Sequence, residues 1–93
     1  MDFEWDLAKD AANVAKHGIS FSRATAVFAD PHLLVEDATR PEYGEQRSKA
    51  IGKVGPLLFT VIYTDRPDRR RIISVRRART NERRRYDQST PTP

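Results

Sequence analysis

The sequence predicts a small α+β domain of element order β-α-α-β-β-β-β-α. Its strands should form an antiparallel sheet, with two N-terminal helices packed on one face and a short C-terminal helix. Three observations predict this. Apolar residues recur at helical spacing within the first thirty positions. From His32 onward the pattern changes to period two, in four separate runs. Between the last three runs stand Gly55-Pro56 and Asp65-Arg66-Pro67-Asp68, which demand tight reversals. With 93 residues and no repeat, residues 1–88 make one domain, near the smallest size that a single apolar core stabilises alone.

Phe3-Glu4-Trp5 reads as an opening strand, and Asp6 is a good N-cap for a helix whose apolar face would be Leu7, Ala11, Val14 and Ala15. Lys16 and His17 complement the negative end of that helix, and Gly18 takes the left-handed conformation that closes it. Ser20 caps a second helix with Phe21, Ala24, Val27 and Phe28 on one face, stopped by Asp30-Pro31. Strands follow at 32–37, 46–54, 57–64 and 70–78, the last three as an antiparallel meander. The run 57–64 is the most apolar, so it should be central and covered by the helices. The loop 38–44 is longer and polar. Thr80 would cap a last helix reaching Tyr86, and the polar, proline-rich residues 89–93 read as a flexible tail.

Composition narrows the function. There is no cysteine and the only imidazoles are His17 and His32, so neither a disulfide framework nor a structural zinc is expected, and no cofactor is implied. No apolar run approaches the roughly 20 residues of a membrane span, and the acidic start lacks a signal peptide's basic region. A cytoplasmic protein without a membrane partner is expected. The net charge of +4 hides an asymmetry: residues 1–64 carry about −2 and residues 65–93 about +6. Ten of the seventeen basic residues, all arginine, fall between Arg66 and Arg85. Such a segment suits phosphate contacts with a nucleic acid. Arginine in particular offers planar, bidentate phosphate recognition.

Along the strand 46–54, Gln46, Ser48, Ala50 and Gly52 share one face and are small enough to lie under helices. Glu45, Arg47, Lys49, Ile51 and Lys53 share the other. Ser74 and Arg76 join that second face if Ile73 and Val75 turn to the helices, which would make an open basic groove. The alternative is a solvated face with ion pairs such as Glu45 with an arginine. Cutting RNA without a metal needs a base for the ribose 2′-OH, cations for the phosphorane, and an acid for the leaving 5′-oxygen. Glu45 is the candidate base, although cations around it make it a weaker one. Arg47 and Arg76 would hold the scissile phosphate, Arg83 adds charge, and Tyr86 would stack on a base or orient the phosphate, unless it is a packing residue. Lys49, Lys53, Arg77 and Arg79 are the further cations expected to contact RNA. His17 is the other candidate proton carrier, with Lys16 beside it, but both are also explained as helix-terminal residues. Glu82, in the first turn of the last helix, is expected to be structural and to pair with Arg79 or Arg85.

Several blocks then combine: Phe3-Glu4-Trp5-Asp6, Asn13-x-x-Lys16-His17-Gly18-Ile19-Ser20-Phe21, Val27-Phe28-x-Asp30, Gly44-Glu45-x-Arg47, Ile72-Ile73-Ser74-x-Arg76-x-Ala78 and Glu82-Arg83-x-x-Tyr86. In order and spacing the chain resembles the BrnT family of toxins. The resemblance implies a RelE-like fold and a type II toxin: a ribonuclease that blocks translation and is held inactive by a BrnA-like antitoxin. That antitoxin would carry a ribbon-helix-helix DNA-binding region, form a heterotetramer with the toxin, and supply the contacts to operator DNA. Carried onto this sequence, the implied functional positions are Lys16, His17, Glu45, Arg47, Arg76, Arg83 and Tyr86. A non-catalytic nucleic-acid- or ribosome-binding module is the competing expectation from charge alone.

Overall fold

A computed structural model describes residues 2–89. The elements are β1 (Asp2–Glu4), α1 (Leu7–His17), α2 (Phe21–Ala24) running on as a 3-10 turn (Thr25–Ala29), β2 (Leu34–Asp37), a 3-10 turn (Pro41–Tyr43), β3 (Ser48–Val54), β4 (Leu57–Asp65), β5 (Arg69–Arg77) and α3 (Thr80–Ser89). The tail expected at 89–93 lies, beyond Ser89, outside the described residues. No helix among them is long and apolar enough to cross a membrane.

The five strands form one sheet in the order β1-β5-β4-β3-β2, with β4 central as its composition demands. The four strands β2 to β5 are antiparallel neighbours, but β1 runs parallel to β5, so the sheet is mixed. This corrects the expectation of an antiparallel sheet. Period two carries no direction, and β1 leads into helices and not into a hairpin, so no turn forces it to reverse. Phe3 instead fixes its placement by stacking on Phe28 at 5.5 Å between centroids.

One face of the sheet carries the main core. Phe21, Ala24 and Val27 pack with Ala50, Val54, Phe59, Val61, Tyr63, Ile72 and Val75, all buried. The 3-10 turn lies so close on β3 that a Cβ at Gly52 would meet the Val27 carbonyl at 3.0 Å, which only glycine avoids. In β5 the partners change from Ile62 with Ser74 to Tyr63 with Ile72, leaving Ile73 as an extra residue. This bulge puts Ile72, and not Ile73, against the core.

Helix α1 reverses the expected orientation. Leu7, Ala11, Val14 and Ala15 are all exposed, and its single buried residue is Asn13. The inward face is polar because it completes backbone bonding. The Asn13 carboxamide accepts the Val75 N–H at 3.1 Å and donates to the Ile19 carbonyl at 3.0 Å. Asp10 accepts the Phe21 N–H at 2.8 Å, and so caps the next helix. Asp6 and Gly18, at φ 73°, cap α1 as predicted.

The second face of the sheet is not an open groove. Helix α3 covers part of it, with Tyr86 packing on Ile51 and Leu58. The helix begins at Thr80, so Arg79 and not Thr80 holds the capping position, and Glu82 reaches back to the Arg79 N–H at 2.9 Å.

Candidate functional site

Strand pairing sets the site. Register places Glu36 beside Lys49, Lys49 beside Ile62, and Thr60 beside Arg76, so their side chains share the face that α3 only partly covers. From the first turn of α3, Glu82 enters the middle of this set and is 1% exposed. Both of its oxygens bind Arg76, at 2.7 and 2.9 Å. Lys49 donates at 3.1 Å and the Thr60 hydroxyl at 3.0 Å. Burial alone would raise the Glu82 pKa, but the bonds from Arg76, the Arg79 backbone, Lys49 and Thr60 outweigh it and hold the carboxyl well below the usual carboxylate range. The pairing expected with Arg79 or Arg85 is therefore replaced by Arg76 and Lys49. Arg79 contributes only its backbone, and Arg85 forms a two-pronged pair with Glu36 at 2.7 and 3.0 Å.

A cavity of about 440 Å³ opens over this cluster, where Lys49, Arg76 and Arg79 face Arg40, Thr39 and Tyr43 of the loop after β2, with Asp37 at the rim. That loop is tied to β3 by Thr39, whose hydroxyl donates to Asp37 at 2.7 Å and accepts the Arg47 N–H at 3.0 Å. Arg40 and Arg79 make no ion pair among the described residues, while Lys49 also lies 3.7 Å from Glu36, so the four cations meet three carboxylates: Asp37 at the rim, Glu36 beside Lys49, and the buried Glu82. This arrangement can bind a phosphate, with Arg76 already held in a fixed plane.

Glu45 and Arg47 are adjacent to this cavity and not inside it. Their side chains pair at 3.1 Å, and the Arg47 guanidinium lies 3.8 Å over the Tyr43 ring, whose residue also lines the cavity. The Glu45 carboxylate faces a second cleft of about 340 Å³ with Ser48, Thr64 and Arg66. Arg66 lies between Glu45, at 3.9 Å, and Glu4, at 3.8 Å. Tyr43 and Arg47 thus form a seam between the two clefts.

A family model described as "Ribonuclease toxin, BrnT, of type II toxin-antitoxin system" matches residues 5–82. The chain belongs to the BrnT family. No curated protein matches it. A BrnT toxin of a type II system has an antitoxin partner and, as a ribonuclease, an RNA target. The match ends at Glu82, so of the expected site residues Arg83 and Tyr86 lie beyond it.

Not every expected residue reaches the BrnT cavity. Arg77 is on the opposite face of the sheet, over the Phe59 ring at 5.7 Å. Lys53 is about 13 Å along β3 from Lys49 at strand rise. Lys16 and His17 line a separate groove of about 230 Å³ between α1 and the β5 bulge. Arg83 is exposed on the outer side of α3, beside Arg84 and Asp87. Tyr86 is 3% exposed and its hydroxyl donates to Asp30 at 2.6 Å, so the ring presents no face on which a base could stack. Burial, with the Asp30 carboxylate beside it, pushes the Tyr86 pKa up to about 12. Asp30 also accepts the His32 and Lys53 N–H groups, which ties the start of β2 and the end of β3 to α3. Sequence reasoning missed Glu82 as the hub and Arg40, Thr39 and Tyr43 as lining. The spacing of Arg79-x-x-Glu82 was the available signal for the first, since a Glu three residues after a cap reaches back to it. The loop offered none.

Proposed function

We propose that this chain is a metal-independent endoribonuclease of the RelE-like kind, which cuts RNA by attack of a ribose 2′-OH and so inhibits translation. A BrnA-like antitoxin with a ribbon-helix-helix region would neutralise it in a heterotetramer and carry the operator DNA contacts. The observation that supports this most is the Arg76–Glu82–Lys49 cluster beneath a cation-lined cavity of about 440 Å³. The scissile phosphate sits at Arg76, Lys49 and Arg79, with Arg40 across from them. RNA lying over the Tyr43–Arg47 seam carries the adjacent ribose toward Glu45. Glu45 takes the 2′-OH proton as the 2′-oxygen bonds to phosphorus, and the bond from phosphorus to the 5′-oxygen breaks, with water protonating the leaving group. Arg47 orients Glu45. Tyr86 supports the scaffold, while Arg83, Arg77 and Lys53 act by long-range attraction.

Purified, nuclease-free protein should cut RNA alone or in the presence of translating ribosomes, and Glu45→Ala with Arg40→Ala should lower the rate by more than about 100-fold. Neither residue touches Glu82, so thermal unfolding should stay close to wild type. A wild-type protein that leaves RNA intact in both assays would sink the ribonuclease reading, and a fully active double variant would sink this site. A binding module without catalysis is the second reading. It is favoured by one observation: Glu45 is held between Arg47 and Arg66 in a cleft separate from Arg76. It predicts salt-dependent RNA binding with no product.

A further inference from the structure

Among the described residues every aromatic side chain but one joins an apolar cluster of the fold, and the exception, Tyr43, stands half-buried in the loop between β2 and β3. Its ring is held without serving the core. The Arg47 guanidinium covers one face at 3.8 Å and is itself fixed by Glu45 at 3.1 Å. Tyr43 lines the cavity of about 440 Å³ over Glu82 whereas Arg47 does not, so the cavity meets the ring away from that cation. The loop around it is pre-formed. Pro41 opens its 3-10 turn, Tyr43 donates its N–H to the Arg40 carbonyl at 3.1 Å, and Gly44 ends the turn at φ 66°. With three residues per turn, Arg40 and Tyr43 stand one turn apart, and both line the same cavity. The turn therefore presents a cation and an aromatic ring together.

We propose that Tyr43 is the base-binding residue of the site, stacking on the nucleobase of the nucleotide whose ribose supplies the 2′-OH, while Arg40 holds the adjoining phosphate. This rests on the ribonuclease reading above and names how that site grips its substrate. The chemistry of the lining selects the occupant: Arg40, Lys49, Arg76 and Arg79 suit a phosphate, and an aromatic wall in the same cavity suits a base. A phosphate alone leaves most of the 440 Å³ unfilled. Only an unstacked base can lie on such a wall, so the substrate is single-stranded there. Stacking reads the presence of a base and hardly its identity, because every base has a π face, and Tyr43 accordingly imposes little sequence preference. Tyr86, the tyrosine expected to stack, is sealed under α3, and Tyr43 takes that part. Because Arg47 touches both the Tyr43 ring and the Glu45 carboxylate, a base seated on Tyr43 sets its ribose at a fixed offset from Glu45.

The test uses the full chain and two probes that cannot be cut because they lack the 2′-OH: a short, dye-labelled oligodeoxyadenylate, and the same deoxyribose-phosphate chain without bases. Binding is read by fluorescence anisotropy. Tyr43→Ala should weaken oligodeoxyadenylate binding by about tenfold or more, and Tyr43→Phe should keep it within about twofold of wild type. Binding of the abasic chain should be the same in all three proteins, and thermal unfolding should not change because the ring lies outside the core. Arg40→Ala should weaken both probes alike. Oligodeoxyadenylate binding by Tyr43→Ala within about twofold of wild type overturns the stack. An equal loss for both probes also overturns it, since Tyr43 then only shapes the loop, and so does full affinity for both probes in Arg40→Ala, since the nucleic acid then lies elsewhere. A chain that cuts RNA but binds the probes without regard to Tyr43 loses the stack and keeps the ribonuclease; one that cuts nothing but shows the base-dependent loss keeps the stack.

Discussion

The two faces of the sheet are held by different physics. Under α2, the contacts are apolar and closely fitted: Phe21, Val27, Val61 and Val75 are fully buried, and even a methyl on Gly52 would collide. Under α3 the apolar patch is smaller, made of Ile51, Leu58 and Tyr86 with the half-buried Leu34 and Ala78 against them, and next to it sits an ionised carboxylate bound by an arginine, a lysine, a hydroxyl and a backbone amide. An apolar face has no dependence on protonation. The charged face draws part of its cohesion from Glu82 staying ionised, and it keeps two cations at the floor of a cavity where a phosphate can reach them. The site is therefore placed where the fold accepts a less robust kind of cohesion.

The contrast can be broken at either face. Phe21→Ala should cost about 3–5 kcal/mol in denaturant unfolding, independent of pH, because it opens a cavity in the closely packed side. Glu82→Ala should cost about 3 kcal/mol, the low end for breaking a buried ion pair, since Arg76 and Lys49 can rehydrate at the cavity. An equal loss for Glu82→Ala at pH 3 and pH 7 would show that packing and not charge holds the second face. The acid limb sharpens this. Unfolded Glu82 titrates near 4.5 and folded Glu82 stays ionised well below that. Its contribution is thus complete above that value and drains away as pH falls below it. Glu82→Gln should flatten the decline, leaving what remains to Asp6, Asp30 and Glu36, whose carboxyls are also held low. Smallest of all, Tyr86→Phe should cost about 1 kcal/mol for one hydrogen bond, with RNA cleavage unchanged.

Burial in the central strands and in α2 was legible in the sequence, and so were most caps. Asp6, Gly18 and Ser20 sit where their chemistry placed them, and the alternation through β3 and β4 gave the right faces. Leu7 and Val14 misled because periodicity reports that a helix has an apolar stripe, not what the stripe meets. The bulge at Ile73 is a one-residue change of register that alternation cannot show before the partner strand is known. Arg76 and Lys49 were recognisable as candidate cations from their strand face. Their convergence on Glu82 depends on where α3 folds back, and the lining from Arg40 and Tyr43 depends on a loop with no periodicity at all.

Asn13 has a consequence for how the chain is made. Strand β1 pairs with β5 at only three positions, and beyond them the Val75 N–H on that side of the strand is taken by one carboxamide from α1. An open strand edge invites pairing with any extended polypeptide nearby. During synthesis α1 leaves the ribosome some sixty residues before β5 does, so the plug exists before the edge that needs it.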